Sequence, residues 1–326
     1  MYNHELKTRF IQEFTSNIGR RNAAVSLFNA LQKFEEEWVS DLCTKNSDEL
    51  QPVLGEIVGF RTNSKKLRMT ILREYVKWCI DNEVAGACDG LLQIEELGNE
   101  KLKRQMVANP RHLQRYLDVL FEHESEETVD CIYRCFYWLA YGGMKEEDVL
   151  DVTDSEVDFV EMVVRHNGIE YPIYREAIKA FRNCVELEQF RYKHPNYSAD
   201  KVVFKERTFG NRLLRGMSQN QPITTLRVEM SRRQNNPNKR KGTPSTDESL
   251  DLKLSYYRVQ LSGLFYREYE AERAGMSVDF MDAAAQFMEG KTYSLSKCRN
   301  LPGAKQRQLA AEYLEDYNRW KDAYSI

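Results

Sequence analysis

Between residues 129 and 174 the chain changes its hydrophobic period twice, and that order constrains the fold more than any other stretch. Val129, Ile132, Tyr133, Phe136, Leu139 and Ala140 recur at helical spacing and predict a helix running to about Tyr141. Gly142-Gly143 stops it, because glycine supplies the backbone conformations that a helix C-terminus needs. Val157–Arg165 is then rich in β-branched and aromatic residues, and Asn167-Gly168 is a favoured two-residue hairpin turn. Ile169–Tyr174 returns as a second strand, and Glu176, Ala177, Ile178, Phe181 and Val185 resume helical spacing. Between helix and hairpin stands Met144-Lys145-Glu146-Glu147-Asp148, in which an acid follows a basic residue by three positions.

The remainder reads as helical, so the expected class is mainly α with a small antiparallel β-hairpin or sheet. Leu27, Leu31, Phe34 and Trp38 share one face of a helix over about 20–41. Leu67, Ile71, Leu72, Tyr75, Val76 and Cys79 do the same over about 64–81, with Ser64 as the expected N-cap. Lys65, Lys66 and Arg68 then fall in a first turn whose dipole disfavours cations, a conflict that an anionic partner would offset. Gly86, Gly90 and Gly98 interrupt a charged stretch before Asn109-Pro110 opens a new helix, with Leu113, Tyr116, Leu117, Leu120 and Phe121 inward. Two domains are expected, 1–95 and 96–326.

Charge is segregated. The net of −3 over 326 residues hides ten Lys or Arg between Lys205 and Lys241, opposed only by Glu206 and Glu229. A second cluster (Arg61, Lys65, Lys66, Arg68, Arg73 and Lys77 against Glu74) fits a solvated face as well as a binding surface. The density at 205–241 points to a polyanion. Residues 231–249 contain no hydrophobic side chain and predict a flexible basic loop, either a simple insertion or an arm that tracks DNA. By contrast, Arg207, Arg212, Arg215 and Arg227 alternate with Phe209, Leu213, Leu214 and Leu226 and belong to structured surface.

Other classes are disfavoured. No apolar run reaches the roughly 18 residues of a membrane helix, and His4, Glu5, Lys7 and Arg9 break any signal-peptide core. Seven cysteines without a CxxC pair suit a reducing cytoplasm, and Cys131 and Cys135 read as small core residues rather than half a metal site. Neither a cofactor nor a metal is expected.

The order of helix, Gly-Gly-Met-Lys turn, hairpin and helix resembles the catalytic domain of tyrosine recombinases (phage integrases) from its first catalytic box onward. In that family the box reads roughly Thr-Gly-Leu-Arg-x-x-Glu and its Arg holds the scissile phosphate. Here Lys145 stands for the Arg and Asp148 for the Glu. Lysine keeps the charge and loses the two-pronged geometry. The hairpin turn offers Arg165 and His166 where the family has a Lys. The second box, normally His-x-x-Arg, has its best counterpart in Ser255-Tyr256-Tyr257-Arg258-Val259-Gln260, where the pair becomes Ser255 and Arg258 or Tyr257 and Gln260. No histidine follows His194. Tyr293, Tyr313, Tyr317 and Tyr324 are candidate nucleophiles, but Tyr313, Tyr317, Trp320 and Tyr324 form an aromatic stripe at helical spacing, which is the pattern of packing.

The resemblance implies a two-domain DNA clamp whose N-terminal helices read bases while the second domain holds phosphates. Since losing one preorganised charge costs about 10²–10³ in rate, the catalytic set, reduced to Lys145, Arg258 and Tyr313, is expected to be inactive. Expected DNA contacts are Arg20, Arg21, Lys65, Lys66, Arg68, Lys145, Arg207, Arg212, Arg215, Arg227, Arg232, Arg233 and Arg258. Closer still, the chain resembles recombinase-derived repressors of SP-beta-like Bacillus phages. That implies a nucleoid-associated repressor in the bacterial cytoplasm, bound to operator repeats to maintain lysogeny. Self-association through the C-terminal helix and a phage-encoded antirepressor are the further partners implied. The alternative is an integrase or a recombination accessory factor.

Overall fold

Asn17 and Asn46 begin the two helices that organise the N-terminal third of the chain. The Asn17 side chain accepts from the Arg20 amide at the start of α2 (Ile18–Trp38), and Asn46 and Glu49 form a reciprocal capping box on α3 (Ser47–Ile57). The computed structural model describes residues 1–58, 62–95, 97–121, 130–192, 201–204, 211–214, 222–244, 253–280, 282–283 and 303–326. These divide into two compact units, Met1–Lys103 with Leu314–Ile326, and Arg104–Tyr313.

The first unit packs α1 (His4–Phe14), α2, α3, α4 (Thr62–Asp81) and the short α5 (Glu100–Lys103) around Phe10, Phe28, Leu31, Leu54, Leu72 and Tyr75. Helix α4 begins two residues earlier than expected, so Ser64 lies within its first turn and does not cap it. One polar cluster is sealed in this core. Lys7 pairs with Glu35 and Asp41, the Tyr75 hydroxyl donates to Asp41 at 3.0 Å, and the Leu42 amide donates to Glu35 at 3.0 Å. Burial pushes the Glu35 carboxyl up, against the opposing pull of Lys7. Leu314–Ile326 joins this unit through Lys66–Glu315 at 2.9 Å and a hydrogen bond from Arg319 to Asn99 at 3.4 Å.

In the second unit α6 (Pro110–Leu120) begins at Asn109-Pro110, as expected. Helix α7 (Asp130–Tyr141) is buried on every side, which makes it the centre of the core rather than one amphipathic layer. A three-stranded antiparallel sheet follows, in the order β1 (Val157–Asp158), β2 (Val163–His166), β3 (Ile169–Pro172). Asn167 and Gly168 both adopt positive φ, 51° and 77°, as a tight hairpin turn requires. The single first strand expected over 157–165 is thus two strands, folded back so that Val157 pairs with Val164. Helix α8 (Ile178–Glu186) leads to a second sheet, β4 (Gln189–Tyr192) with β5 (Lys201–Phe204), which sequence patterning did not reveal.

The expected loop at 231–249 is corrected over its first half. Residues 231–235 complete helix α9 (Pro222–Asn235), and a 3-10 turn follows at Pro237–Lys239. A segment without hydrophobic residues is ordered here by one buried cation. Arg233, 1% exposed, donates to both carboxylate oxygens of Asp130 at 2.8 and 2.9 Å and lies over the Phe121 and Tyr133 rings. Helix α10 (Tyr256–Arg273) crosses α7 at Gly263, where a Cβ would stand 1.8 Å from the Tyr141 carbonyl oxygen. Helix α11 (Gly303–Tyr324) ends the chain and contributes residues to both units.

Candidate nucleic-acid interface

Helix α7 ends at Tyr141, and Gly143 takes a φ of +96° to turn the chain toward Lys145. This turn is held from α10. The Gln260 side-chain amide donates to the Gly143 and Met144 carbonyls at 3.0 and 3.1 Å, and the Tyr256 hydroxyl donates to Met144 at 2.9 Å. The two segments that resemble the first and second recombinase boxes are therefore brought together. Their meeting is made by Tyr256 and Gln260, and neither was among the expected contacts. Gln260 is 6% exposed and committed to backbone carbonyls. Of the two registers read from the sequence, only Ser255/Arg258 supplies a basic side chain. Ser255 caps α10 and Arg258 is half-buried, with Nη1 donating to the Lys253 carbonyl at 2.8 Å. Burial pushes the Arg258 guanidinium below its ordinary range.

Neighbouring ionisable groups are tied locally. Arg165 bridges Asp158 at 2.7 Å and Glu170 at 2.8 Å across the hairpin. His166 is buried with Nδ1 3.0 Å from Glu156. Burial raises the Glu156 carboxyl, but hydrogen bonds from Thr153 and His166 outweigh it and hold the group below the ordinary glutamate range. Tyr313 is 2% exposed, its ring edge-on to Phe265 at 5.1 Å. Tyr317 and Trp320 are buried and stacked at 6.1 Å, as expected for a packing stripe.

The expected DNA-contacting cations sort by burial. In the first unit Arg20 lies over the Phe14 ring at 4.7 Å, and Arg21 donates to the Thr15 carbonyl at 2.6 Å. Lys65 and Arg68 donate to the carbonyls of Leu97 and Ile57 at 3.1 and 2.7 Å. Lys66 projects furthest, its side chain 66% exposed. In the second unit Arg212 meets Asp151 at 3.1 Å, Arg232 meets Glu229, and Arg227 makes a two-pronged pair with Glu146, with Nε to Oε1 at 2.7 Å. These three pairs sit at the surface, where an ion pair is worth only about 0–1 kcal/mol and a phosphate can replace the carboxylate. Arg233 is the exception, because its pair with Asp130 is sealed from solvent. Lys145 is half-buried beside the clamped turn. Arg207 and Arg215 lie outside the described residues. Among the described residues no group of side chains is arranged to hold a metal ion, and no helix is long and apolar enough to cross a membrane.

Residues 1–81 match the family described as MrpR, N-terminal core-binding domain, and the chain is MrpR-like over that segment. Over 95% of its length the chain is also similar to the crystal structure of XerA recombinase, covering 98% of that chain at 13% identity with a TM-score of 0.35. A comparison with curated proteins finds no match. The mainly helical class with a small antiparallel sheet is as the sequence led one to expect.

Proposed function

We propose that this chain is a sequence-specific double-stranded-DNA-binding repressor built on a recombinase-derived fold, and that it does not cleave strands. The observation that carries the reading is the MrpR core-binding match over residues 1–81. A core-binding domain positions a protein on duplex DNA, and Lys66 on α4 offers a phosphate an exposed cation. Absence of cleavage is supported by Lys145 at the Arg position, by the lack of any His after His194 and by the burial of Tyr313. A nucleophile must reach a phosphorus atom, and preorganised cations must meet the charge that develops there.

In this reading the partners are operator repeats in a phage genome, silenced in the bacterial cytoplasm to keep the prophage dormant. Induction falls to a phage-encoded antirepressor, and the C-terminal helix is the element available for self-association. A gel-shift scan of the chain's own genomic neighbourhood tests this. Several bound intergenic repeats support a repressor. A single bound attachment site would favour an integrase or a recombination accessory factor instead.

A further inference from the structure

The core of the first unit brings two thiols together. Cys43 stands in the 3-10 turn Leu42–Thr44 between α2 and α3, and Cys79 in the last turn of α4, which packs on that turn. Both residues are buried and their side chains are hydrogen-bonded to each other. Two further sets of contacts hold them in place. The Cys43 amide and the Tyr75 hydroxyl both donate to Asp41, at 3.1 and 3.0 Å, and Tyr75 lies one turn before Cys79 on the same face of α4. The segment 84–88 is laced to both cysteines, the Val84 amide donating to the Cys79 carbonyl and the Cys88 amide to the Cys43 carbonyl, each at 2.9 Å.

Packing alone accounts for a buried cysteine, but the surroundings of this pair are not those of an inert one. The Lys7 ammonium is sealed in the same core. The hydrogen bond from Cys43, with Tyr75 and Lys7, outweighs burial and holds the Cys79 thiol below its ordinary range, while the same bond raises Cys43. The pair is therefore unequal: one sulfur suited to attack, and a second held against it to resolve the product. Access comes from local opening, because Cys79 is two residues from the end of its helix and Cys43 sits in a turn of three residues.

We propose that Cys43 and Cys79 form a reversible redox site, closed to a disulfide by a peroxide and reopened by a dithiol. The Cys79 sulfur attacks hydrogen peroxide: an S–O bond forms, the O–O bond breaks, and water leaves with the thiol proton. The Cys43 sulfur then attacks the Cys79 sulfur: the S–S bond forms, the S–O bond breaks, and a second water leaves with the Cys43 proton. Peroxide gains the two electrons that the sulfurs lose. In a reducing compartment such a disulfide is a transient signal rather than a permanent cross-link. Bonded sulfurs lie only about 2.05 Å apart, so closure draws the end of α4 toward the 42–44 turn. Lys66 stands near the start of the same helix. An effect of closure on DNA affinity rests on the repressor reading, whereas the disulfide itself does not.

The test is treatment of the full chain, without DNA, with hydrogen peroxide, then iodoacetamide, tryptic digestion without reductant and mass spectrometry. Expected is a peptide pair joined through Cys43 and Cys79, short of two hydrogens and returned to free thiols by dithiothreitol. Cys79 and Cys88 share one tryptic peptide, so fragment ions assign the link, and Cys88→Ser should leave it intact. In Cys43→Ser, dimedone should trap a sulfenic acid on Cys79. Circular dichroism establishes that each chain is folded. If Cys43→Ser is not, the wild-type fragment ions and Cys88→Ser carry the test. Linkage of Cys43 to Cys88, a link that forms only in urea, or two thiols that stay free in the folded chain would each overturn the proposal. A gel shift of the peroxide-treated and the reduced chain reports separately on DNA, with a severalfold difference in affinity expected. Equal affinity would sink the regulatory consequence, and no shift in either state would sink the repressor reading; the disulfide stands in both cases.

Discussion

Gln260 donates through Nε2 to the carbonyl oxygen of Gly143 at 3.0 Å, tying the first turns of α10 to the Gly-Gly turn that ends α7. The Gln260 side chain is buried, so removing its amide strips the Gly143 and Met144 carbonyls of a hydrogen bond each. Gln260→Leu should destabilise the second unit by about 1–3 kcal/mol. Gly263→Ala should cost more, since its Cβ would fall 1.8 Å from the Tyr141 carbonyl oxygen and force the helices apart. Urea unfolding monitored by circular dichroism measures both, and wild-type midpoints would refute the clamp.

Arg232 and Arg233 are adjacent and chemically identical, yet their expected phenotypes differ. Arg233→Gln should destabilise by about 3–5 kcal/mol because it strips the buried Asp130 carboxylate of both hydrogen bonds from the guanidinium. Arg232→Gln, which removes only a surface pair, should stay within about 0.5 kcal/mol of wild type. Equal effects in thermal unfolding would contradict the assigned burial of Arg233.

Acid sensitivity should trace partly to Glu156. Its folded pKa lies below the ordinary value of 4.5, because hydrogen bonds from Thr153 and His166 outweigh burial. The group therefore adds stability that is present above 4.5 and is lost as pH falls through its folded pKa. Glu156→Gln should be less stable than wild type at neutral pH, with the difference shrinking on acidification. A difference that grows below pH 4.5 would reverse the sign and refute the pairing.

These contrasts show which parts of the molecule are legible in the sequence. Asn109-Pro110 and Asn167-Gly168 act through local backbone chemistry, and both stand where they were expected. Ser64 was misplaced because a hydroxyl one turn inside a helix has the same local pattern as a cap. Helix α9 was hidden because Arg233 is buried by Asp130, 103 residues away, and no window of hydrophobicity detects a partner that remote. For the same reason the counted cations overstate the binding surface. Composition registers the charge of Arg68 and Arg233 but not that one is spent on the Ile57 carbonyl and the other on Asp130. Tyr256 and Gln260 were invisible as a clamp, since they act on backbone atoms more than a hundred residues away.

Among the cations, exposure should predict the DNA-binding phenotype. Lys66→Glu and Arg212→Glu reverse charges that are paired at the surface with Glu315 and Asp151. Each should weaken operator binding and lower the slope of log affinity against log salt by roughly one. Lys33→Glu, at an exposed pair with Glu56 outside the proposed contacts, is the comparison. Equal loss in all three variants would argue for a diffuse field rather than a defined interface.

Duplex binding without cleavage can be read from one nicked duplex carrying a bound genomic repeat, examined on native and denaturing gels. The native shift should weaken by about 10³–10⁵ between 50 and 200 mM salt, if six to ten phosphates are neutralised. No denaturant-resistant protein–DNA band should form, and a Tyr313→Phe variant should behave like wild type. A covalent band that disappears with Tyr313→Phe, or no native shift at any salt, would contradict binding without cleavage.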